Sequence, residues 1–206
     1  MAKWLAYFIM NTLVMIFCYL TNIIVVAFAD ELGELHGFLK YWQTWDDSLD
    51  PRFFVVGKVP KFLQYDYDKH YEEYEGTTPE LEAVGRTRWF VKFKEGGEKF
   101  TFKEKVQRYF CRFLWLTRNN GYGFAFWFFG EQIDNSKTKF PVNKSDEFYG
   151  YLYNEENILM RSFVYKAHKH LFSNIYFDVF VGWKFGPGDE EICQAMIANR
   201  AVFSIG

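Results

Sequence analysis

Short catalytic and cofactor signatures are missing from this chain. It has no G-x-S-x-G elbow, no G-x-x-x-x-G-K-[ST] loop and no G-x-G-x-x-G turn. The local motifs that hold a nucleophile, a nucleoside triphosphate or a dinucleotide are therefore not available to it. Cysteine is scarce, with 3 in 206 residues and no C-x-x-C pair, which excludes a disulfide framework and a C-x-x-C zinc or redox site. A large excess of one charge is also lacking. The formal net charge is −2, so bulk charge does not make it a nucleic-acid binder, and a basic surface would have to be local. No internal repeat and no low-complexity linker interrupts it. No cofactor and no nucleic-acid partner is expected.

Charge itself is missing from Trp4 to Ala29, where only Asn11, Thr12, Thr21 and Asn22 break an apolar run. As a helix this run is about 39 Å long at ~1.5 Å per residue, enough to cross a hydrocarbon core of ~30 Å with tilt or overhang. A secretory signal is the first competing reading, since Lys3 precedes the run and Ala27-Phe28-Ala29 has the form of a cleavage site. Its h-region would be far longer than the usual ~7–15 residues. A buried core helix is the second, but the segment is apolar all round. A retained single-pass anchor is the expectation. Lys3 and Lys40 tie in the positive-inside count, the free amine beside Lys3 does not break the tie, and the N-terminus is expected in the cytoplasm with the main domain across the membrane.

What the chain has in abundance is aromatic side chains: 25 Phe, 14 Tyr and 7 Trp, 22% of all residues. Such residues build aromatic-packed β cores, and they also favour membrane and protein interfaces. Residues 30–50 read as a juxtamembrane stretch with a short amphipathic segment at Leu35, Phe38, Leu39, Tyr41 and Trp42. Residues 53–56 and 62–65 look β-like, and the acidic block 66–82 looks like a solvated loop or exposed edge. Residues 87–94 alternate with period 2, and Gly96-Gly97 offers a hairpin turn returning through Lys99–Phe102. Thr101-x-x-Glu104 has capping-box spacing and predicts a helix over about 102–118. Its end is signalled by Asn119-Asn120-Gly121. Residues 124–129 read as a buried strand or an interfacial segment. Gly121 and Gly123 relieve crowding between the helix end and that bulky run. Residues 148–153, 158–172 and 175–185 read as β-rich runs, and the tail 189–203 as holding a short helix through Ile192, Ala195 and Met196.

The predicted helix is the best candidate for a functional surface. Lys103, Lys105, Arg108, Arg112 and Arg118 stand against Glu104 alone, a local charge of about +4 from five cations and one anion. Lys105, Arg108 and Arg112 line a face beside Val106, Tyr109, Phe110 and Phe113. Helices of this kind lie on anionic lipid or on a partner protein; ordinary packing of the apolar face on a sheet is the plainer alternative. Lys105, Arg108, Arg112, Tyr109 and Phe113 are the expected lipid or partner contacts. His168 and His170 are weak metal candidates, two ligands where zinc takes three or four. Asp46, Asp47 and Asp50 lack the EF-hand alternation and suit a turn before Pro51. Asn143-Lys144-Ser145 matches a glycosylation sequon, which has meaning only in a eukaryotic secretory setting. No catalytic residue is identified.

Three stretches carry a resemblance: residues 41–50 (YWQTWDDSLD), residues 112–124 (RFLWLTRNNGYGF) and Gly182-Trp183-Lys184-Phe185. With the hydrophobic N-terminus, they resemble an uncharacterised family of small tailed-bacteriophage proteins, in which Pro-Ala is frequent where this chain has Asn120-Gly121. The resemblance implies a phage gene product in the host inner membrane, without an established activity. The expected architecture is α+β: an anchor at 1–29, a juxtamembrane segment at 30–50, and an aromatic-rich, mainly antiparallel β domain with one amphipathic helix at 51–206. The expected function is binding at the host envelope, with the bilayer and a host-envelope or phage protein as partners. A virion-associated structural protein and an enzyme with a dispersed site are the alternatives.

Overall fold

The computed structural model describes residues 2–44, 48–50, 60–82, 87–134, 138–139, 148–154, 162–172, 175–184 and 192–205. Helix α1 spans Ala2–Val25 and continues as a 3-10 turn over Val26–Phe28. Among the described residues it is the one helix long and apolar enough to cross a membrane. Its buried positions form a narrow stripe: Trp4, Asn11, Cys18 and Val25 recur every seventh residue, and Asn22 joins them. Leu5, Ile9, Leu13, Ile16, Leu20 and Ile24 are exposed. The inward stripe therefore carries the amides, and the outward side is hydrocarbon. That reverses the usual amphipathic helix of a water-soluble fold.

The chain divides into two compact units, Met1–Val14 with Ala125–Gly206, and Met15–Phe124. The first holds a six-stranded antiparallel sheet of β3 (Glu131–Asp134), β4 (Thr138–Lys139), β5 (Phe148–Asn154), β6 (Ser162–Phe172), β7 (Ile175–Lys184) and β8 (Ile192–Ile205) in the order β3-β8-β7-β6-β5-β4. Its core register sets Trp183 opposite Ile197, both buried. The first half of α1 joins this unit. Tyr7 meets the Trp183 ring edge-on at 6.4 Å, and Asn11 Nδ2 donates to Asn199 Oδ1 at 2.7 Å. Asn199 in turn donates to Thr12 Oγ1 at 2.6 Å, and Lys3 pairs with Glu131.

In the second unit, β1 (Tyr71–Gly76) and β2 (Arg88–Phe93) form a two-stranded antiparallel sheet. Helix α2 spans Phe102–Arg118, and a 3-10 helix spans Gly37–Tyr41. The later half of α1 is tied in by Asn22 Nδ2 donating to Asn120 Oδ1 at 2.9 Å. Asn120 Nδ2 donates to the Met15 carbonyl at 2.7 Å, and Trp42 Nε1 to Thr21 Oγ1 at 3.1 Å. The Phe124 ring lies 5.0 Å from Trp42 and 5.4 Å from Tyr41. A Cβ on Gly123 would stand 2.8 Å from the Tyr41 backbone, so only glycine permits this approach. The crowding that this glycine relieves is thus against residues 41–43.

The fold is α+β, with both sheets antiparallel. The expected helix over 102–118 and the three C-terminal β-rich runs are present. Four local expectations are corrected. β2 pairs with β1, drawn from the acidic block, instead of with Lys99–Phe102; Glu72 faces Lys92 across the pair at 3.1 Å, so opposite charges support it. Residues 61–63 form a 3-10 turn, not a strand. Phe124–Phe128 is a π-helical turn. The tail expected to be helical is β8, which pairs with β7 over ten consecutive positions, a long-range ladder that overrides local propensity. The β-like run 53–56 and the sequon at Asn143 fall outside the described residues.

Candidate functional site

Helix α2 starts on Thr101. The Thr101 Oγ1 accepts from Glu104 N–H at 3.3 Å, and Glu104 Oε2 accepts from Thr101 N–H at 2.8 Å. This closes the capping box reciprocally. These bonds from Thr101 hold the Glu104 carboxyl below the usual range.

Helix α2 turns Arg108 and Arg112 toward the protein together with Cys111, Trp115 and Leu116, and leaves a second apolar stripe facing out. Gln107, Cys111, Arg112, Trp115 and Leu116 are buried. Gln107 Nε2 donates to the Phe62 and Gln64 carbonyls at 2.8 and 2.9 Å. Phe102, Val106 and Phe110 are exposed, at 83%, 40% and 41%. The sequence puts these apolar side chains on one face, but packing does not bury them.

The reason is Asp50. Its carboxylate is fully buried, and two guanidiniums one helical turn apart converge on it. Arg112 Nε donates to Oδ1 at 2.9 Å, and its Nη2 donates to Oδ2. Arg108 Nη2 donates to Oδ2 at 3.1 Å and its Nε to Oδ1 at 3.3 Å. Tyr65 and Tyr71 each bring a hydroxyl to 3.3 Å from Asp50. Arg108 also covers the Phe100 ring, 4.6 Å from its centroid, a cation–π contact, and donates to the Glu31 carbonyl. Burial alone would raise the Asp50 carboxyl, but Arg112 and then Arg108 outweigh it and hold it below the ordinary range. The same burial pushes the Tyr65 and Tyr71 hydroxyls up, with the Asp50 charge adding to it, so both stay protonated.

Backbone geometry completes the pocket around the carboxylate. Gly33 has φ +79, and a Cβ there would lie 2.8 Å from Asp50 Oδ2. Its carbonyl accepts from Leu49 N–H at 2.9 Å. Beside the cluster, His70 stacks on Phe100 at 3.9 Å, donates from Nδ1 to the Glu98 carbonyl at 2.7 Å, and sets Nε2 3.4 Å from Glu104 Oε1.

A carboxylate saturated by four guanidinium and hydroxyl groups has no free lone pair for a substrate proton, so as it stands it is no general base. What it does is fasten α2 to the segment before Pro51. Among the described residues no group of three or more His, Cys, Asp or Glu is placed to hold a metal ion.

The model of the Family of unknown function (DUF7338) matches residues 1–204. The chain belongs to that family. The family match takes in α1 together with both units. No curated protein and no solved structure matches the chain.

In this DUF7338 chain the five residues expected to make lipid or partner contacts are divided. Lys105 is exposed. Arg108 and Arg112 are spent on Asp50. Tyr109 and Phe113 are half-buried, and the Tyr109 hydroxyl donates to the Ile23 carbonyl. His168 and His170 lie two apart on β6, opposite Asp178 and Tyr176. Asp46 and Asp47 fall outside the described residues. Sequence reading missed Asp50 as the centre, together with Gly33, Tyr65, His70 and Tyr71. The signal available was the spacing of Arg108 and Arg112, whose face also carries Cys111 and Trp115 and is therefore half apolar.

Proposed function

We propose that this protein is a membrane-anchored accessory protein that acts by binding at the envelope of a bacterial host, with α1 retained as a single-pass anchor. The observation that carries this reading is the polarity of α1, amides inward and hydrocarbon outward. Exposed Leu13, Ile16, Leu20 and Ile24 would stand in water in a soluble protein, whereas in lipid an apolar outer surface costs nothing. Asn11 and Asn22 bond to Asn199 and Asn120. Cleavage after Ala29 would remove side chains from both units, which weighs against a discarded signal. Binding is favoured over catalysis because the buried charge cluster is saturated. The phage origin and the inner-membrane address rest on the resemblance of residues 41–50 and 112–124.

Expression of the tagged chain in a bacterial host, followed by fractionation and an alkaline carbonate wash, tests the anchor. The protein should stay in the pellet, and the fragment that survives protease on spheroplasts reads its orientation. Release by carbonate would sink the integral anchor. Co-sedimentation with phage particles through a density gradient would instead favour the virion reading.

A further inference from the structure

We propose that α2 lies in the lipid–water interface, with Phe102, Val106 and Phe110 among the acyl chains and Lys103 and Lys105 on anionic headgroups. This rests on the reading of α1 as a membrane anchor. Three observations converge on α2. Its exposed side is apolar at i, i+4 and i+8, a continuous stripe along one face. The helix is held to the protein by its opposite side, through Gln107, Arg108 and Arg112, which leaves the stripe facing outward. The first half of the helix, which carries the stripe, also sits at the end of the proposed anchor: Tyr109 donates to the Ile23 carbonyl, and α2 packs on Val26–Phe28, while beyond its C-terminus Asn120 reaches back to the Met15 carbonyl. Neighbouring Ile23, Ile24, Phe28 and Phe62 are exposed as well.

Charge selects lipid as the occupant. At ~100° per residue, Lys103 and Lys105 stand at the two edges of the stripe, and both are exposed. Long lysine stems run along apolar surface while the ammonium reaches polar headgroups. The one acidic residue between them, Glu104, is already taken by the capping box. An amphipathic helix of this pattern sinks its apolar face into the headgroup–acyl boundary and is drawn there by anionic lipid. The contact side is thus set by Phe102, Val106 and Phe110, while Arg108 and Arg112 are internal.

The test uses the full chain with Cys18, Cys111 and Cys193 replaced by serine, reconstituted in phosphatidylethanolamine–phosphatidylglycerol vesicles. Spin labels are placed singly at Phe102→Cys and Phe110→Cys, at Leu20→Cys to report the anchor, and at Glu72→Cys as a water-exposed reference. Collisions with oxygen and with a water-soluble nickel chelate are then compared. Labels at 102 and 110 should lose nickel collisions and gain oxygen collisions relative to position 72. Lys103→Glu with Lys105→Glu should partly reverse that shift. Water-like labels at 102 and 110 beside a lipid-like label at 20 would overturn the interfacial helix and leave the anchor standing. A water-like label at 20 would overturn the anchor, and this inference with it. Low collision with both reagents at 102 and 110 would mean that protein covers the stripe, which also overturns the proposal.

Discussion

Arg112 Nε stands 2.9 Å from Asp50 Oδ1, with both side chains almost wholly out of water. This ion pair sets which way α2 faces. Two charges buried together are tolerable, whereas either one buried alone is costly. Turning Phe102, Val106 and Phe110 inward would carry Arg108 and Arg112 toward solvent and leave Asp50 without its cations.

Asp50→Asn should destabilise the fold by about 3–5 kcal/mol, since two buried guanidiniums lose their anion, and Arg112→Met should cost less, since Arg108 still pairs with Asp50. The double variant should cost less than the sum, since both changes break the same contact. Chemical denaturation in detergent micelles, run as a double-mutant cycle, measures this. Strict additivity would mean that the two side chains are not coupled.

Acid should find the same cluster. The folded Asp50 carboxyl lies below its unfolded value of ~3.9. The stability it contributes is therefore present above that value and is lost as pH falls through the lower folded one. Glu104, held down first by the Thr101 N–H, has the same sign. Stability followed from neutral pH to pH ~3 should fall below about pH 4 in the wild type, and Asp50→Asn should flatten much of that fall. Equal slopes would place the acid-sensitive group elsewhere.

Gly33→Ala should be more disruptive than a surface loop change. A left-handed backbone costs an L-residue about 1–2 kcal/mol, and the added methyl would meet the Asp50 carboxylate. Loss of thermal stability greater than in Gly37→Ala, where φ is +58 and an added Cβ meets nothing within 4 Å, is the expected pattern.

The amides of α1 act as polar fastenings. Asn22→Leu should cost about 0.6–1.7 kcal/mol, the range of hydrogen bonds between membrane helices. Detergent-resistant unfolding would read it. An unchanged Asn22→Leu would show that the bond to Asn120 contributes nothing.

How much of this was readable in the chain follows from how local each cause is. Thr101 and Glu104 lie three residues apart and announce α2 unaided. The alternation over 175–185 does the same for β7. The Gly96-Gly97 turn misleads because Lys94 N–H bonds to the His70 carbonyl at 2.9 Å, drawing β2 to β1 across a long loop. Ile192, Ala195 and Met196 have helical spacing, yet residues 196–205 pair with β7 and residues 192–195 with β3. The direction of α2 was hidden for a different reason. Its apolar face was plain, but the partner of Arg108 and Arg112 lies about sixty residues away, in a turn with no periodicity to announce burial.

The central claim is that the outward side of α1 faces hydrocarbon, and Leu13→Lys tests it most directly. Leu13 is near the middle of α1 and 57% exposed. In lipid, a lysine at a helix centre costs about 2.5–3.5 kcal/mol. The account predicts that membrane-inserted protein falls sharply in a carbonate-washed fraction, while Thr87→Lys on the exposed surface leaves it unchanged. A Leu13→Lys chain recovered folded and soluble, in undiminished amount, would contradict it.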